Sequence, residues 1–519
     1  MSARTWNQDR AAKRIQKNIE SLSINDIEIR DYVRDTDLGS LPNHVAYRVD
    51  GVHVYADILN LDEMLQVTQV EGETCHRRVL RFLNLQYRAA ARILNNEDVL
   101  LIDFHNQRLH AVVAKPYGDE PTRIHKAIAL AQLLIDVLAQ TGEDADHPAA
   151  KLRVGIDSGE ALAVNNGRRG HREPLFLGEP ANQAAKRSCG GDEPGIYLTN
   201  RARAAVGFST VKDENASSLT GAEITASQEA VPLTSTVDGV VKAWKEDLDV
   251  NPIGKFEFSG HTPPFADLDL ETLSVKNSRR QDAATMYADI NGFTKYVRAN
   301  IIDDKSSKHV VRSLRVLRSE LDAVLHEDFK GRKVRFIGDC VHGLLVEGTA
   351  QTTDIEATIS TMVLCAAGMR SSFDLAVAKL KGAGTDASSL GLQIGLEYGP
   401  TMVTRLGIKG GLIRCSVSRA TRAAEAEQGR CTGSETAIGE AAYKGASQPV
   451  RDVFGSTRKR KELDYATAVE ELAAKKDRTA AMAKAAGAGA SLLKPATAAA
   501  DPYAFRNAPG GPAKPNGFA

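Results

Sequence analysis

The sequence predicts an α+β protein made of two tandem copies of one domain-sized unit. Three observations carry this expectation. At 519 residues the chain exceeds what one hydrophobic core normally organises, so two domains plus appendages is the starting point. The order strand, helix, hairpin, helix, strand occurs twice, each time over a domain-sized stretch. The first strand of each copy also carries the same Tyr-Ala-Asp-Ile run, at Tyr55-Ala56-Asp57-Ile58 and at Tyr287-Ala288-Asp289-Ile290.

The elements follow in order. Ile15, Ile19 and Leu22 recur at helical spacing among charges, so an N-terminal helix is expected within an appendage spanning 1–43. The first unit, 44–208, opens with an apolar strand at 53–58 and a helix over 74–95. Strands at 99–104 and 108–114 then meet at the short turn His105-Asn106-Gln107, and a helix at 122–141 leads to a strand at 151–156. The second unit, 281–450, repeats this with a strand at 284–290 and a helix at 308–328. Its strands at 334–337 and 340–346 turn at Gly338-Asp339, ahead of a helix at 354–380 and a strand at 390–396. Between the units, 209–280 reads as a linker or insertion because 215–231 is rich in Ser, Thr, Ala and Glu. The stretch 451–519 reads as an Ala, Lys, Gly and Pro-rich tail whose last twenty or so residues are expected to be unstructured.

Composition excludes several function classes. With 66 basic and 66 acidic side chains the net charge is zero, which gives no electrostatic grip on nucleic acid or anionic lipid. The most apolar stretch, near 128–138, is interrupted by Gln132 and Asp136, and the first fourteen residues are polar and charged, so neither a membrane span nor a secretory signal is expected. Six scattered cysteines without a CxxC pair point to reduced thiols, hence to a cytoplasmic protein.

Two carboxylates of the second unit stand where chemistry would need them. Asp289 ends an apolar strand, and Asp339 lies in the tight turn of a hairpin. Acidic side chains at the ends of neighbouring strands can share a pair of divalent ions bound through oxygen. Such ions lower the pKa of an attacking hydroxyl and clamp a triphosphate. A single strand-end Asp usually only caps a turn. Here Ala288-Asp289-Ile290-Asn291-Gly292-Phe293-Thr294 precedes Phe336-Ile337-Gly338-Asp339, and the two runs together closely resemble the class III adenylate/guanylate cyclase family.

That resemblance implies two tandem class III cyclase (ferredoxin-like) domains joined as an intramolecular pseudo-heterodimer. In the family the two aspartates bind the metals while a ribose 3′-hydroxyl attacks the α-phosphate and pyrophosphate leaves. The implied metal set is Asp289, Ile290 and Asp339 with two divalent ions, Mn²⁺ or Mg²⁺, and Phe293 is placed among the substrate contacts. In the first unit Asp57 matches the first metal position, but aligning Phe104-His105-Asn106 with the family's Ile-Gly-Asp puts an amide, Asn106, at the second. Its strength lies later, where Arg153-Val154-Gly155-Ile156-Asp157-Ser158-Gly159 and Leu177-Gly178-Glu179-Pro180-Ala181-Asn182 resemble the family's later segments. The resemblance gives Asn182 the ribose, and Lys186 or Arg187 the phosphate charge, as catalytic residues; that choice stays open. In the second unit Ser418 stands at the Asn position and Arg422 at the Arg position. Head-to-tail pairing then yields one complete site and one degenerate site.

The family's adenine-reading positions fall at Leu100 and Leu175, and neither can hydrogen-bond a base. Removing the donors that read a base removes most discrimination for it. Purine specificity is therefore disfavoured, and the resemblance narrows to the pyrimidine cyclases of Pycsar anti-phage systems. These convert a nucleoside triphosphate to a 3′,5′-cyclic monophosphate that acts on a separate effector protein. UTP is favoured over CTP. A cytidylate or adenylate cyclase and a catalytically silent nucleotide-binding sensor remain as alternatives, and pairing into a homodimer stays open.

Overall fold

The computed structural model describes residues 4–33, 36, 38, 41–42, 44–66, 68–141, 148–165, 174–408 and 412–492. An N-terminal helix, α1 (Gln8–Glu20), precedes strand β1 (Glu28–Asp31). The first unit continues with β2 (Val45–Ile58), α2 (Leu61–Gln66), α3 (Glu73–Asn96), β3 (Leu100–His105), β4 (Arg108–Val113) and α4 (Glu120–Thr141). It closes with β5 (Leu152–Asn165), β6 (Pro174–Leu177), α5 (Glu179–Ser188), β7 (Gly195–Leu198) and α6 (Asn200–Ala205). Helices α7 (Gly221–Ala230) and α8 (Val237–Val250) lead to the second unit. Its elements are β8 (Phe258–Ser259), β9 (Ser278–Asn291), α9 (Phe293–Asn300), α10 (Asp304–Ala323), β10 (Arg332–Ile337), β11 (Cys340–Leu345), α11 (Ile355–Gly382), β12 (Gly391–Leu406), β13 (Ile413–Cys415), α12 (Arg419–Gly429) and β14 (Glu435–Ile438). Last come α13 (Glu440–Gly445), α14 (Gln448–Phe454), β15 (Lys459–Lys461), α15 (Tyr465–Ala474) and α16 (Arg478–Leu492).

Both sheets have one topology. In the first the order is β3-β4-β2-β5, with β7 parallel to one half of β5 and β6 antiparallel to the other. In the second it is β10-β11-β9-β12, with β14 and β13 in the corresponding places. The centre of each is a long antiparallel pair, from Ala46↔Val164 to Ile58↔Leu152 in one and from Asn291↔Gly391 to Arg279↔Val403 in the other. Apolar residues on one face meet the unit's own helices, α3 and α4 in the first and α10 and α11 in the second. Both α4 and α11 are long and apolar enough to cross a bilayer, yet 61% and 72% of those windows is buried inside the chain. Their apolarity serves the two cores.

The far ends of the long strands cross over. Ala46, Leu162, Val164 and Leu177 of the first sheet are buried in the core of the second unit, while Met402, Leu406, Cys415 and Val417 are buried in that of the first. Each unit thus completes its hydrophobic core with an arm from the other.

One close approach fixes a helix on each sheet. A Cβ on Gly155 would lie 2.1 Å from the Ala184 carbonyl oxygen, and one on Gly395 2.2 Å from that of Ala424. Only glycine lets α5 and α12 come this near their strands.

The segments outside the two units are more ordered than their composition suggests. The expected linker 209–280 holds α7 and α8, and Val240, Val241 and Trp244 are buried in the first unit's core. Helix α8 is also tied down by an ion pair between Arg88 and Asp247. Its apolar residues were legible, but the Ser- and Thr-rich run beside them masked the helical period. Likewise the expected tail is folded through α16, because Tyr465, Ala468, Leu472, Ala480 and Ala483 pack into the second unit's core. The last twenty residues lie outside the described residues.

Helix α1 sits not on the first unit but across α10 and α11 of the second, while β1 pairs with β2 of the first. Arg14 holds it there, bonding Asp328 through Nη1 at 2.9 Å and Nη2 at 2.8 Å and Glu320 through Nη2 at 2.6 Å. Both acceptors have almost fully buried side chains. Arg10 also donates to Asp328 at 2.8 Å, so losing Arg14 leaves Glu320 as the uncompensated buried charge. Arg14→Ala is therefore expected to lower the unfolding free energy by about 3 kcal/mol, measurable by denaturant titration.

Candidate active site

Strand β9 delivers Asp289 at its end, and the β10–β11 turn delivers Asp339 beside it, because β11 pairs directly with β9. The turn residue Gly338 has φ +59°, a conformation that costs glycine nothing. Both carboxylates line a cleft of about 480 Å³ between the two units. Across it, Asn182 and Lys186 project from α5 of the first unit, four residues apart and so on one helical face.

Burial raises the pKa of Asp289 from 3.8 to about 6, opposed by a hydrogen bond from Gln393. Burial, and after it the Asp289 charge, pushes Asp339 well above the ordinary range. The nearby Arg318 charge opposes this rise at Asp339 only in part, which leaves two crowded acids facing a cleft. That is a site asking for cations. The described residues contain no group of three or more His, Cys, Asp or Glu side chains placed to hold a metal. A divalent ion here would draw its remaining ligands from the main chain and from a bound polyphosphate, the usual habit of Mg²⁺. The donor set therefore fits two metals that arrive with a nucleotide. Ile290 also lines the cleft, and its side chain is buried in the core, so it offers main chain. Phe293 lines the cleft at the start of α9 while its ring packs into the same core.

Gln393 sits opposite Asp289 in the β9–β12 register. Its Nε2 donates to Asp289 Oδ2 at 3.1 Å, and its Oε1 accepts from Asn291 Nδ2 at 3.0 Å. This relay holds the Asp289 carboxylate in place. Together with Glu179, Gln183, Lys295 and Arg298, which also line the cleft, Gln393 escaped the sequence reading. Its signal was available in the strand register, since the family-like Arg153 occupies the same place beside Asp57.

Three expectations need correction. Arg187 does not line the cleft; its guanidinium pairs with Glu214 at 2.9 Å and donates to Gln183 at 3.1 Å. Leu100 and Leu175 do not line it either, being half-buried on apolar clusters. The hairpin alignment also shifts by one residue. His110 and His342 occupy equivalent places, each stacked on the equivalent tyrosine, Tyr55 or Tyr287. Counting from them through the bulged strand pairs sets Leu101 opposite Lys333 and Asn106 opposite Gly338. Asn106 has φ +49°, matching Gly338, so Gln107 takes the place of Asp339. Asparagine is one of the few residues besides glycine that visit this left-handed conformation, which disguised the register.

The helix alignment shifts as well. Gly155 meets α5 at Ala184 and Ser188, and Gly395 meets α12 at Ala424 and Gln428. By that packing Arg422 stands at the place of Asn182 and Ala426 at that of Lys186. Ser418 is the N-cap of α12, accepting from Thr421 N at 3.0 Å.

The second, pseudo-equivalent site is filled by the chain itself. Arg108 reaches Asp57 at 3.1 Å and Glu425 of the other unit at 2.5 Å, and Arg422 bonds both oxygens of Asp62 at 2.9 Å. A guanidinium thus stands against Asp57, whereas the equivalent Asp289 bonds the neutral Gln393.

A model of the adenylate and guanylate cyclase catalytic domain matches residues 275–414. A uridylate cyclase of Pseudomonas aeruginosa is 51% identical over 497 residues, 95% of this chain and 96% of that one. A uridylate cyclase of a Rhizobium species is 40% identical over 433 residues, 80% of this chain and 82% of that one. The crystal structure of a class III adenylyl cyclase-like ATP-binding protein from Pseudomonas aeruginosa superposes with a TM-score of 0.88 at 52% identity, covering 91% of this chain and all of that one.

The raised pKa of Asp289 carries a stability consequence. The folded chain holds this proton between about pH 4 and pH 6, where the unfolded chain has shed it, so the group opposes folding progressively as pH rises through that window. Asp289→Asn should therefore melt higher than the parent in chelator at neutral pH, with the difference vanishing near pH 4. Added Mn²⁺ should raise the parent's melting temperature and leave the variant's nearly unchanged.

Proposed function

The chain belongs to the class III nucleotidyl cyclases, and we propose that it is a uridylate cyclase whose two units act as an intramolecular pseudo-heterodimer with one working site. The observation that carries this is the single cleft in which Asp289 and Asp339 of one unit face Asn182 and Lys186 of the other. The crossed arms and the shared sheet topology support reading the units as paired cyclase domains.

In this reading Asp289, Asp339 and the Ile290 main chain would hold two Mn²⁺ or Mg²⁺ ions, which would supply positive charge at the triphosphate and lower the pKa of the ribose 3′-hydroxyl. Asn182 holds the ribose by its amide, which both donates and accepts. Lys186 sets a point charge against the α-phosphate as negative charge builds there. The 3′-oxygen bonds to the α-phosphorus while the bond from that phosphorus to the β-phosphate oxygen breaks. Cyclic nucleotide, pyrophosphate and a proton leave. Gln393 keeps the Asp289 carboxylate aligned throughout.

For the base, Leu101 replaces the lysine that Lys333 provides in the other unit, and Leu175 remains apolar, so no purine reader stands at either place. With relatives named uridylate cyclase at 51% and 40% identity, UTP is the substrate this favours. The ATP-binding description of the Pseudomonas structure supports a second reading, an adenylate cyclase. ATP held without cyclisation reconciles both descriptions. The resemblance to pyrimidine cyclases extends the proposal to a cytoplasmic second messenger that acts on a separate effector in anti-phage defence.

Purified protein supplied with Mn²⁺ and each of the four ribonucleoside triphosphates is expected to yield cyclic UMP by mass spectrometry. Cyclic AMP alone would overturn the base assignment, and no product at all would overturn the enzyme. Asp289→Ala and Asp339→Ala should each abolish detectable turnover, whereas Asp57→Ala should cost less than about threefold. Lys186→Ala should lower kcat by about a hundredfold and Arg187→Ala by far less.

A further inference from the structure

The cleft contains one feature that the proposed chemistry leaves unused. Arg298, on the second turn of α9, reaches across the unit boundary to Glu179 on the first turn of α5. Its Nε donates to Glu179 Oε2 at 3.1 Å, and its Nη2 bonds the other carboxylate oxygen. Both residues line the cleft with the two aspartates and Lys186. We propose that Arg298 is a triphosphate-binding residue, parked on Glu179 until nucleotide enters and then transferred from carboxylate to phosphate. This rests on reading the cleft as a nucleotide site.

Three observations lead there. First, the other cations lining the cleft are Lys186 and Lys295, which are point charges, and Arg187 is committed to Glu214 outside it. Arg298 is the one guanidinium among the cleft-lining residues, and a guanidinium fork grips phosphate oxygens in pairs. Second, the pair is open to water, with side chains 63% and 36% exposed. An exposed pair of this kind adds little net stability, so a highly charged triphosphate can displace the carboxylate. Third, Glu179 has a second partner, because Gln183 Nε2 donates to its Oε1 at 3.3 Å. The carboxylate therefore stays satisfied after Arg298 leaves. Its negative charge nevertheless opposes the bound polyphosphate once Arg298 has moved, so Glu179 sets the cost of the exchange and its removal should tighten binding.

The contrast with the pseudo-site sharpens the assignment. There the cross-unit arginines are shielded, Arg108 between two carboxylates and Arg422 on Asp62, with side chains 30% and 28% exposed against 63% for Arg298. The arginine tie across the cleft is the more exposed and the more readily exchanged.

The test uses 3′-deoxyuridine and 3′-deoxyadenosine triphosphates, which cannot cyclise, titrated with Mn²⁺ into the full chain by calorimetry. Arg298→Ala should weaken binding of both by about tenfold or more, and Arg298→Lys should restore part of the loss. Glu179→Gln should tighten both several-fold, and that gain should vanish in the Arg298→Ala background. In turnover, Arg298→Ala should raise KM more than it lowers kcat. Unchanged binding by Arg298→Ala would overturn the proposal. So would a Glu179→Gln variant that weakens binding as Arg298→Ala does, because that is the mark of a merely structural tie. Melting curves of each variant separate misfolding from lost contact. If the binding changes appear but no triphosphate yields cyclic product, the cyclase reading fails and the role of Arg298 stands.

Discussion

Two carboxylates that cannot both comfortably carry charge are the constraint on which the working cleft depends. Asp289 and Asp339 are brought together by the β9–β11 pairing; burial raises the pKa of both, and the Asp289 charge raises that of Asp339 further. The fold tolerates this because the strain is local and the surrounding scaffold is large. A cation would relieve it, which suits the pair to the divalent metals proposed above. The pseudo-site shows the same constraint relieved differently. There Asp57 is neutralised by Arg108, a cation carried on the neighbouring strand, and nothing remains for a metal to do.

Placing both halves of the cleft in register requires the units to be held to each other tightly. The crossed arms do this, since each unit lacks part of its core without the other. At the pseudo-dyad the equivalent strands meet directly, with Arg335 bonded to Asp103 and to the Phe104 carbonyl. The N-terminal segment adds a strap, with α1 anchored on the second unit by Arg14 while β1 joins the first sheet. Gly155 and Gly395 then set the depth of α5 and α12, and so the reach of Asn182 and Lys186.

Much of this was legible in the sequence, for physical reasons. Strand-end aspartates, the Gly338 turn and the repeated helical and strand periods are local features, and local features survive in one dimension. What escaped depended on register. A one-residue shift at the first hairpin was hidden because asparagine can occupy a left-handed turn position, which made Asn106 resemble a lost aspartate rather than a replaced glycine. The helix shift at α12 was hidden because Ser418 is a good N-cap, a role with its own sequence signature. Gln393 and Arg298 were invisible because their meaning comes from partners about a hundred residues away.

The corrected registers strengthen the asymmetry rather than blur it. By sequence alone the second site keeps an arginine at the phosphate position. By packing, that arginine occupies the asparagine position, an alanine follows at the phosphate position, and Gln107 stands for the second aspartate. Three of the four roles are lost on one side, where Asp57 alone keeps its carboxylate and Arg108 occupies it, while the complementary residues converge on the other. Independent drift would leave mixed remnants in both clefts. The proposed division of labour, with one cleft open and the other closed by ion pairs, requires the losses to be sorted in this way.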